Sequence, residues 1–171
     1  IVIPSSVTSI GERCFSYCKS LKSAELPDSL TTISEYAFAN SGLESIKIPN
    51  GISSIEAGVF SQCTKLTSVD LSSTVTSIGS GAFRDNVLLE SLTIPADVTF
   101  IDSDAFVNCY KLSSLTYLGY NPPSFNGDPF RNCDKLQSVN VKPYYNGLSF
   151  CNISAVKVTP SLHFSSSSPF S

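Results

Sequence analysis

The sequence predicts an α/β repeat protein, a solenoid whose coils each contribute one strand to a parallel sheet and one short helical turn to the opposite side. Three observations support this fold class. A phenylalanine recurs every 22 to 24 residues, a leucine follows five or six residues later, and two alternating apolar residues come next. Such a fixed period is typical of repeat architectures. The repeated phenylalanines are Phe15, Phe38, Phe60, Phe83, Phe106 and Phe130.

The strand of each coil is indicated by the alternation after the leucine, as in Ile46-Lys47-Ile48. Apolar residues at every second position are typical of a strand with one buried face. A proline then ends several strands, because it has no N–H for the sheet. The two apolar columns are Ala24, Ile46, Val69, Leu92, Leu115 and Val139, then Leu26, Ile48, Leu71, Ile94, Tyr117 and Val141.

Two further apolar columns predict a second inward-facing edge before each phenylalanine. They are Val7, Leu30, Ile52, Val75 and Val98, then Ile10, Ile33, Ile55, Ile78 and Ile101. The segment around each phenylalanine, such as residues 81–86, is too short for an amphipathic helix and predicts a single helical or 3₁₀ turn. One coil cannot enclose its apolar side chains, but coils stacked at about 4.8 Å form a continuous core.

The combined pattern, L-x-S-[apolar]-x-[apolar]-P-x-x-[V/I/L]-x-x-I-x-x-x-A-F-x-x-C-x-x-L, resembles the BspA-like leucine-rich-repeat family over about residues 1–141. The resemblance implies a right-handed leucine-rich-repeat solenoid, with the parallel sheet on its concave face and the short helical turns opposite. It also implies surface or secreted proteins of bacteria and protists, often linked to adhesion, with host or extracellular-matrix proteins as partners.

The domain prediction is one solenoid over residues 1–159, with regular coils to about residue 116 and irregular, capping coils over 117–159. Prolines and glycines replace the second edge between Tyr117 and Phe130, which predicts a loop-rich coil. Terminal repeats must differ from the others if the core is to be closed. Residues 160–171 are serine-rich and predict a tail or linker. Because the sequence lacks methionine, we expect it to be part of a longer protein.

Composition disfavours several classes of function. The net charge is −3 and the basic residues are scattered along the sequence, so we expect no positively charged surface that would attract nucleic acid. No apolar run approaches the roughly 18 to 20 residues that cross a bilayer, so we expect no membrane insertion. The only histidine, His163, lies in the predicted tail, which disfavours acid–base catalysis. We therefore expect a protein that is not an enzyme and that binds no cofactor.

Four of the six cysteines, Cys18, Cys63, Cys109 and Cys133, follow the repeated phenylalanine by three residues, and Asn86 takes that place in the fourth coil. In leucine-rich repeats this position points inward and bonds to the turn backbone, which favours buried free thiols over a zinc site. A disulfide between cysteines of adjacent coils stays an alternative. The motif at residues 102–104 resembles a fragment of a calcium loop, although solvated turn carboxylates are favoured.

The outer face of the main sheet is the candidate binding surface, because a solenoid presents one side chain per coil there. The candidate partner-binding residues change from coil to coil and are Glu25, Lys47, Asp70, Thr93, Thr116 and Asn140. A secondary candidate patch consists of Tyr120, Phe125, Tyr144 and Tyr145, for which packing as an end cap is the alternative. We expect a recognition or adhesion module at the cell surface or secreted. The alternatives are an intracellular scaffold and a carbohydrate-binding accessory domain, the latter if aromatic side chains prove to be exposed in a groove.

Overall fold

A computed structural model describes residues 1–158 as a stack of short strands and turns. The predicted tail at 160–171 and His163 lie outside the described residues. The thirteen strands are β1 (Ser9–Ile10), β2 (Thr32–Ile33), β3 (Ser45–Lys47), β4 (Ser54–Ile55), β5 (Ser68–Asp70), β6 (Ser77–Ile78), β7 (Ser91–Ile94), β8 (Phe100–Ile101), β9 (Ser114–Tyr117), β10 (Ser124–Phe125), β11 (Ser138–Val141), β12 (Ser149–Phe150) and β13 (Ile153–Lys157).

The main sheet is built from the strand that follows each repeated leucine. Strand β3 pairs with β5, and β7, β9, β11 and β13 pair in sequence, all in parallel. Equivalent residues of successive coils are aligned, so that Ile46 lies beside Val69 and Leu92 beside Leu115. The sheet is interrupted between β5 and β7, which are not paired as strands. Residues that the sequence places at equivalent positions of successive repeats are therefore the residues that face each other in the sheet.

A second sheet forms the next side of the solenoid from two-residue strands. Strand β1 pairs with β2, and β4, β6, β8 and β10 pair in sequence, again in parallel. Side-chain hydroxyls add a further ladder along this side. Thr76 Oγ1 donates to the carbonyl of Ser53 at 3.0 Å, and Ser124 Oγ to that of Thr99 at 3.0 Å. Each of these bonds joins a coil to the one before it.

The third side contains turns, and the predicted short helical turns are wrong. No helix occurs in the described residues, and so none there could cross a membrane. In the first five turns the residue two before the phenylalanine and the residue two after it are left-handed, and in the sixth turn only the residue two after Phe130 is; their φ values lie between 54° and 63°. The left-handed residues are Arg13, Tyr17, Tyr36, Asn40, Gly58, Gln62, Gly81, Asp85, Asp104, Asn108 and Asn132.

The left-handed residues change where the backbone of the turn forms its hydrogen bonds. In a helix the N–H groups donate within their own segment. Here the N–H of Phe38 donates to the carbonyl of Val59 at 2.9 Å, and that of Phe60 to Ala82 at 2.9 Å, each in the next coil. A third ladder of hydrogen bonds between coils thus replaces the helix. The observed architecture is a parallel-sheet β-solenoid of about six coils, similar to a leucine-rich repeat.

The core is a single elongated interior whose axis is marked by the six phenylalanines. Successive rings stack with centroids 5.1 to 5.6 Å apart and planes within 16° of parallel. The four middle rings are completely buried. Offset stacking of this kind adds to the free energy gained by burying each ring. Each of the four middle phenylalanines therefore stabilises the contact of its own coil with both neighbours.

The cysteine and asparagine column lies beside the phenylalanines and bonds to their carbonyl groups. Cys63 Sγ donates to the carbonyl of Phe38 at 3.1 Å, and Asn86 Nδ2 to that of Phe60 at 3.0 Å. In the same way, Cys109 Sγ donates to the carbonyl of Phe83 at 3.3 Å, and Cys133 Sγ to that of Phe106 at 3.1 Å. All six cysteines have free thiols. Each of these carbonyls also accepts the N–H three residues further along its own coil, so the column supplies a second donor and joins adjacent coils.

Aromatic side chains close the C-terminal end of the described solenoid. Phe150 lies 5.0 Å from Tyr117 and 5.1 Å from Phe125, measured between ring centroids. The hairpin of β12 and β13 carries it there, since Cys151 and Asn152 both have the positive φ that a two-residue turn requires. The last phenylalanine of the stack, Phe130, also contacts Phe150.

Replacing Phe83 with alanine is expected to lower the free energy of unfolding by about 3–5 kcal/mol, because it leaves an unfilled space between two stacked rings. Urea denaturation followed by circular dichroism measures the change. Phe100→Ala is the control: Phe100 is 37% exposed, so its loss should cost about 1 kcal/mol or less. Equal losses at both positions would contradict the stack as the source of stability.

Gly58→Ala and Gly81→Ala separate two costs within the turns. Both glycines are left-handed, with φ of 63° and 60°, so each alanine should cost about 1 kcal/mol from backbone strain alone. At Gly58 the new Cβ would also meet the Tyr36 ring at 2.2 Å, whereas at Gly81 nothing lies closer than 3.7 Å. We expect the larger loss at Gly58, and its excess over Gly81 should vanish in the Tyr36→Ala background.

Thiol accessibility tests the inward direction of the cysteine column. With Ellman's reagent at mildly alkaline pH, we expect exposed Cys14 to react in the native protein, and Cys63, Cys109 and Cys133 only after unfolding. Burial raises the pKa of the Cys63 thiol, which lowers the fraction present as reactive thiolate. Rapid native labelling of all six thiols, or fewer than six in the unreduced denatured protein, would contradict this arrangement.

Candidate recognition surface

The six candidate partner-binding residues form one column along the outer face of the main sheet, here named the variable column. Lys47 is aligned with Asp70, and Thr93 with Thr116 and then Asn140. Glu25 makes an isolated parallel bridge with Val2. The first four members are exposed, and Thr116 and Asn140 are half-buried. Alternation along each strand places these side chains outward because their neighbours fill the core.

The N-terminal half of the variable column carries alternating charges. Glu25, Lys47 and Asp70 follow one another as negative, positive and negative. Among the described residues no ion pair joins these three, although Lys22 and Glu44 pair in the adjacent column at 3.6 Å. Exposed charges without partners interact with water and remain available to a complementary surface.

Shallow grooves lie along the variable column. A groove of about 480 Å³ lies along β5 and β7, the strands that are not paired, and is lined by Asp70 and Thr93. Another of about 360 Å³ lies between Glu25 and Lys47, and one of about 310 Å³ contains Asn140. The outer face is therefore a series of depressions with polar rims, not a flat sheet.

A second column on the outer face, here named the serine column, lies beside the variable column and supplies small side chains to these grooves. Its members are Ser23, Ser45, Ser68, Ser91, Ser114 and Ser138. Ser68, Ser91 and Ser114 all line the largest one. In residues 1–158 no hydrogen bond joins the hydroxyls of successive serines on this face, unlike the hydroxyl ladder of the second sheet. Their shared property is small volume, which keeps the grooves open.

The secondary aromatic patch is divided by the structure. Tyr145 is only 2% exposed, and Phe125 packs against Phe150, so these two belong to the closed end of the core and not to a surface. The predicted replacement of the second edge in this coil is wrong, because β10 continues the second sheet and Phe125 lies in register beside Ile101 of the inward-facing column. Tyr120 and Tyr144 remain exposed, with ring centroids 6.2 Å apart.

The carboxylates of the motif at residues 102–104 are engaged in local contacts. Asp102 accepts from the Ser103 N–H at 2.7 Å and from Asn126 Nδ2 at 2.8 Å, and the first of these bonds does most to hold the pKa of its carboxyl below the ordinary value. Asp104 pairs with Arg131 at 2.8 Å. Within the described part of the chain, no three metal-binding side chains lie together. These carboxylates therefore act as turn contacts.

Sequence reasoning missed the amides beside the exposed tyrosines. Asn121 and Asn146 are exposed, and Asn146 Nδ2 donates to Asn121 Oδ1 at 3.4 Å. The available signal was positional, since Tyr120 and Tyr144 both come three residues after the last apolar residue of their strands, and an asparagine follows each by one or two residues.

Solved structures show the fold to which this solenoid is similar. A leucine-rich repeat protein from Bacteroides ovatus is 23% identical, with a TM-score of 0.64 over 90% of this chain and 54% of that protein. A leucine rich cell surface protein from Faecalibacterium prausnitzii is also 23% identical, with a TM-score of 0.47 over 86% of this chain and 62% of that one. The chain thus spans little more than half the length of these proteins.

Comparison with protein families identifies the family of the chain, whereas the solved structures show only its fold. None of the curated proteins matches the chain. The model of the BspA type leucine rich repeat region matches residues 1–113 in six copies, which is about two thirds of the sequence. The matched residues include five of the six stacked phenylalanines, from Phe15 to Phe106. The chain belongs to the BspA-type leucine-rich-repeat family.

Proposed function

We propose that this chain is a non-catalytic recognition module of a cell-surface or secreted protein, and that it binds a protein partner through the variable column. The observation that carries the proposal is the contrast between two neighbouring columns on one face. The serine column is uniform, whereas the variable column changes at nearly every coil and is mostly exposed. A surface that recognises one partner needs different side chains on a regular frame.

The chemistry of the face suits a protein partner with its own alternating charges. Glu25, Lys47 and Asp70 offer a negative, positive and negative series, and the grooves between them have small hydroxyl-bearing walls. Complementary charges on a partner would steer the encounter and set its register along the column. Thr93, Thr116 and Asn140 extend the contact with neutral hydrogen-bonding groups. Such a site needs no cofactor.

The proposed location follows from the family. BspA-type repeats resemble those of surface and secreted proteins linked to adhesion, which makes a host or extracellular-matrix protein the partner to test first. An adhesive contact made of many weak contacts over several coils gains strength when several copies bind together.

Charge reversal along the variable column tests the proposal. The triple variant Glu25→Lys, Lys47→Glu, Asp70→Lys inverts the series while leaving the core untouched, so stability should change by less than about 0.5 kcal/mol per position. Surface plasmon resonance against purified fibronectin, laminin and collagen should show a partner whose affinity falls by about tenfold or more in the variant.

The matched control reverses a charged pair on the turn side, Arg84→Glu with Asp85→Arg, which keeps that pair complementary. It should leave the affinity unchanged. Binding that is equally strong in the triple variant and in Thr93→Ala, Thr116→Ala and Asn140→Ala would exclude the variable column as the contact site. Loss of binding in the turn-side control would move the site to another face.

A further inference from the structure

Two exposed tyrosines distinguish the C-terminal coils from all the others. Tyr120 and Tyr144 occupy the third position after the last apolar residue of their strands, at the bend between the main and the second sheet. In the preceding coils that position holds small or polar residues, namely Ser29, Gly51, Thr74 and Asp97. Both tyrosines are more than half exposed, at 56% and 55%. The regular repeat does not require aromatic rings here.

The rings are nearly parallel and belong to adjacent coils. Their centroids are 6.2 Å apart and their planes differ by 17°. Core aromatic residues of the same coils meet at steep angles instead, as Tyr117 and Tyr145 do at 86°. Tyr120 and Tyr144 therefore form a small platform on the surface, separate from the aromatic cluster that closes the core.

The backbone that carries the platform is fixed by hydrogen bonds across coils. The Asn146 N–H donates to the carbonyl of Tyr120 at 2.8 Å. The hydroxyl of Tyr117 donates to the carbonyl of Asn121 at 2.8 Å, and burial raises the pKa of Tyr117 to about 12, so that the hydroxyl keeps its proton. A partner that binds to such a fixed surface loses little free energy to its ordering.

Uncharged groups line a groove on the Tyr120 side of the platform. The groove has a volume of about 220 Å³ and is lined by Asn121, Pro122 and Thr99, and no charged side chain of the described residues lines it. The charges next to the platform lie outside this groove, with Asp97 at the equivalent position one coil before Tyr120 and Lys142 two residues before Tyr144. Asn121 and Asn146 present exposed side-chain amides, each with donors and an acceptor. The surface thus combines flat aromatic faces, neutral hydrogen-bonding groups and a shallow cleft.

We infer that Tyr120 and Tyr144 form a binding site for a neutral glycan. A pyranose ring has an apolar face of C–H groups that packs on an aromatic ring, and hydroxyl groups at its edge that match side-chain amides. The absence of charge from the groove lining disfavours acidic polysaccharides and nucleic acid. With about 220 Å³, the cleft is of the size of one sugar unit and is too small for a protein interface. This site is distinct from the variable column and does not depend on it.

The experiment uses the 171-residue chain and an array of neutral oligosaccharides built from glucose, mannose, galactose and N-acetylglucosamine. Members that bind are then titrated by calorimetry, with decaproline as a second probe, because polyproline also packs on tyrosines. We expect at least one oligosaccharide to bind, and Tyr120→Ala or Tyr144→Ala to weaken it by about tenfold each. Tyr144→Phe, which keeps the ring, should stay within about threefold of the wild type.

Tyr110→Ala is the matched control, because Tyr110 lies outside the platform and is 48% exposed. This variant should leave glycan binding unchanged. The charge reversal of the variable column should also leave it unchanged. Circular dichroism of each variant separates loss of binding from loss of folding. Failure of every array member to bind overturns the inference. So does glycan binding that is unaffected in the two alanine variants, or decaproline binding that is lost in them while no glycan binds.

Discussion

The structure depends on hydrogen bonds between the backbones of successive coils, which run along all three sides of the solenoid. The two sheets supply two of these ladders, and the left-handed turns supply the third. Because each ladder imposes the same spacing, equivalent side chains must lie over one another. The phenylalanine stack, the cysteine column and the variable column all follow from that spacing. A helix on the third side would have satisfied its own N–H groups and left the coils joined on two sides only.

Much of this arrangement could be predicted from the sequence, for a physical reason. A residue such as Ile46 or Leu92 must be buried in every coil, so its periodicity appears directly in the sequence, and alternation then places Lys47 and Thr93 outward. The turns were predicted wrongly because their conformation depends on bonds to another coil, which local propensity does not contain. Glycine is found at three of the left-handed positions, Gly58, Gly81 and Gly127, while tyrosine, glutamine and arginine occupy others.

The aromatic residues at the end of the chain show a second limit. Tyr144 and Tyr145 are adjacent and chemically identical, yet one is exposed and the other buried. The repeat favours this difference, since Tyr145 stands at the place of the buried Leu30, Ile52, Val75 and Val98, and Tyr144 at the place before it. The repeat does not show, however, how a tyrosine hydroxyl is accommodated in the core. The interior accepts Tyr145 because its hydroxyl donates to the carbonyl of Ser149 at 2.8 Å, a contact made with a hairpin that has no counterpart in the repeat. The extent of the candidate aromatic surface therefore required coordinates.

The regular and irregular parts of the solenoid also differ in how strongly the exposed surface depends on the packing of the core beneath it. In the regular coils the outer face varies freely, because a change at Asp70 or Thr93 leaves the core as it is. In the last coils the exposed rings and the buried rings belong to the same short segments, so the surface there is tied to the packing below it. Substitutions near Tyr117 or Tyr145 would move the platform as well as the end of the core.

The nearest-neighbour construction has a mechanical consequence. Each coil is joined only to the coils before and after it, so a pulling force on the ends of the chain would meet the ladders one after another and not all at once. Release of one coil of about 23 residues adds about 80 Å of slack. Under tension, the molecule would lengthen in equal steps and absorb work at each one, while the coils still stacked keep their shape.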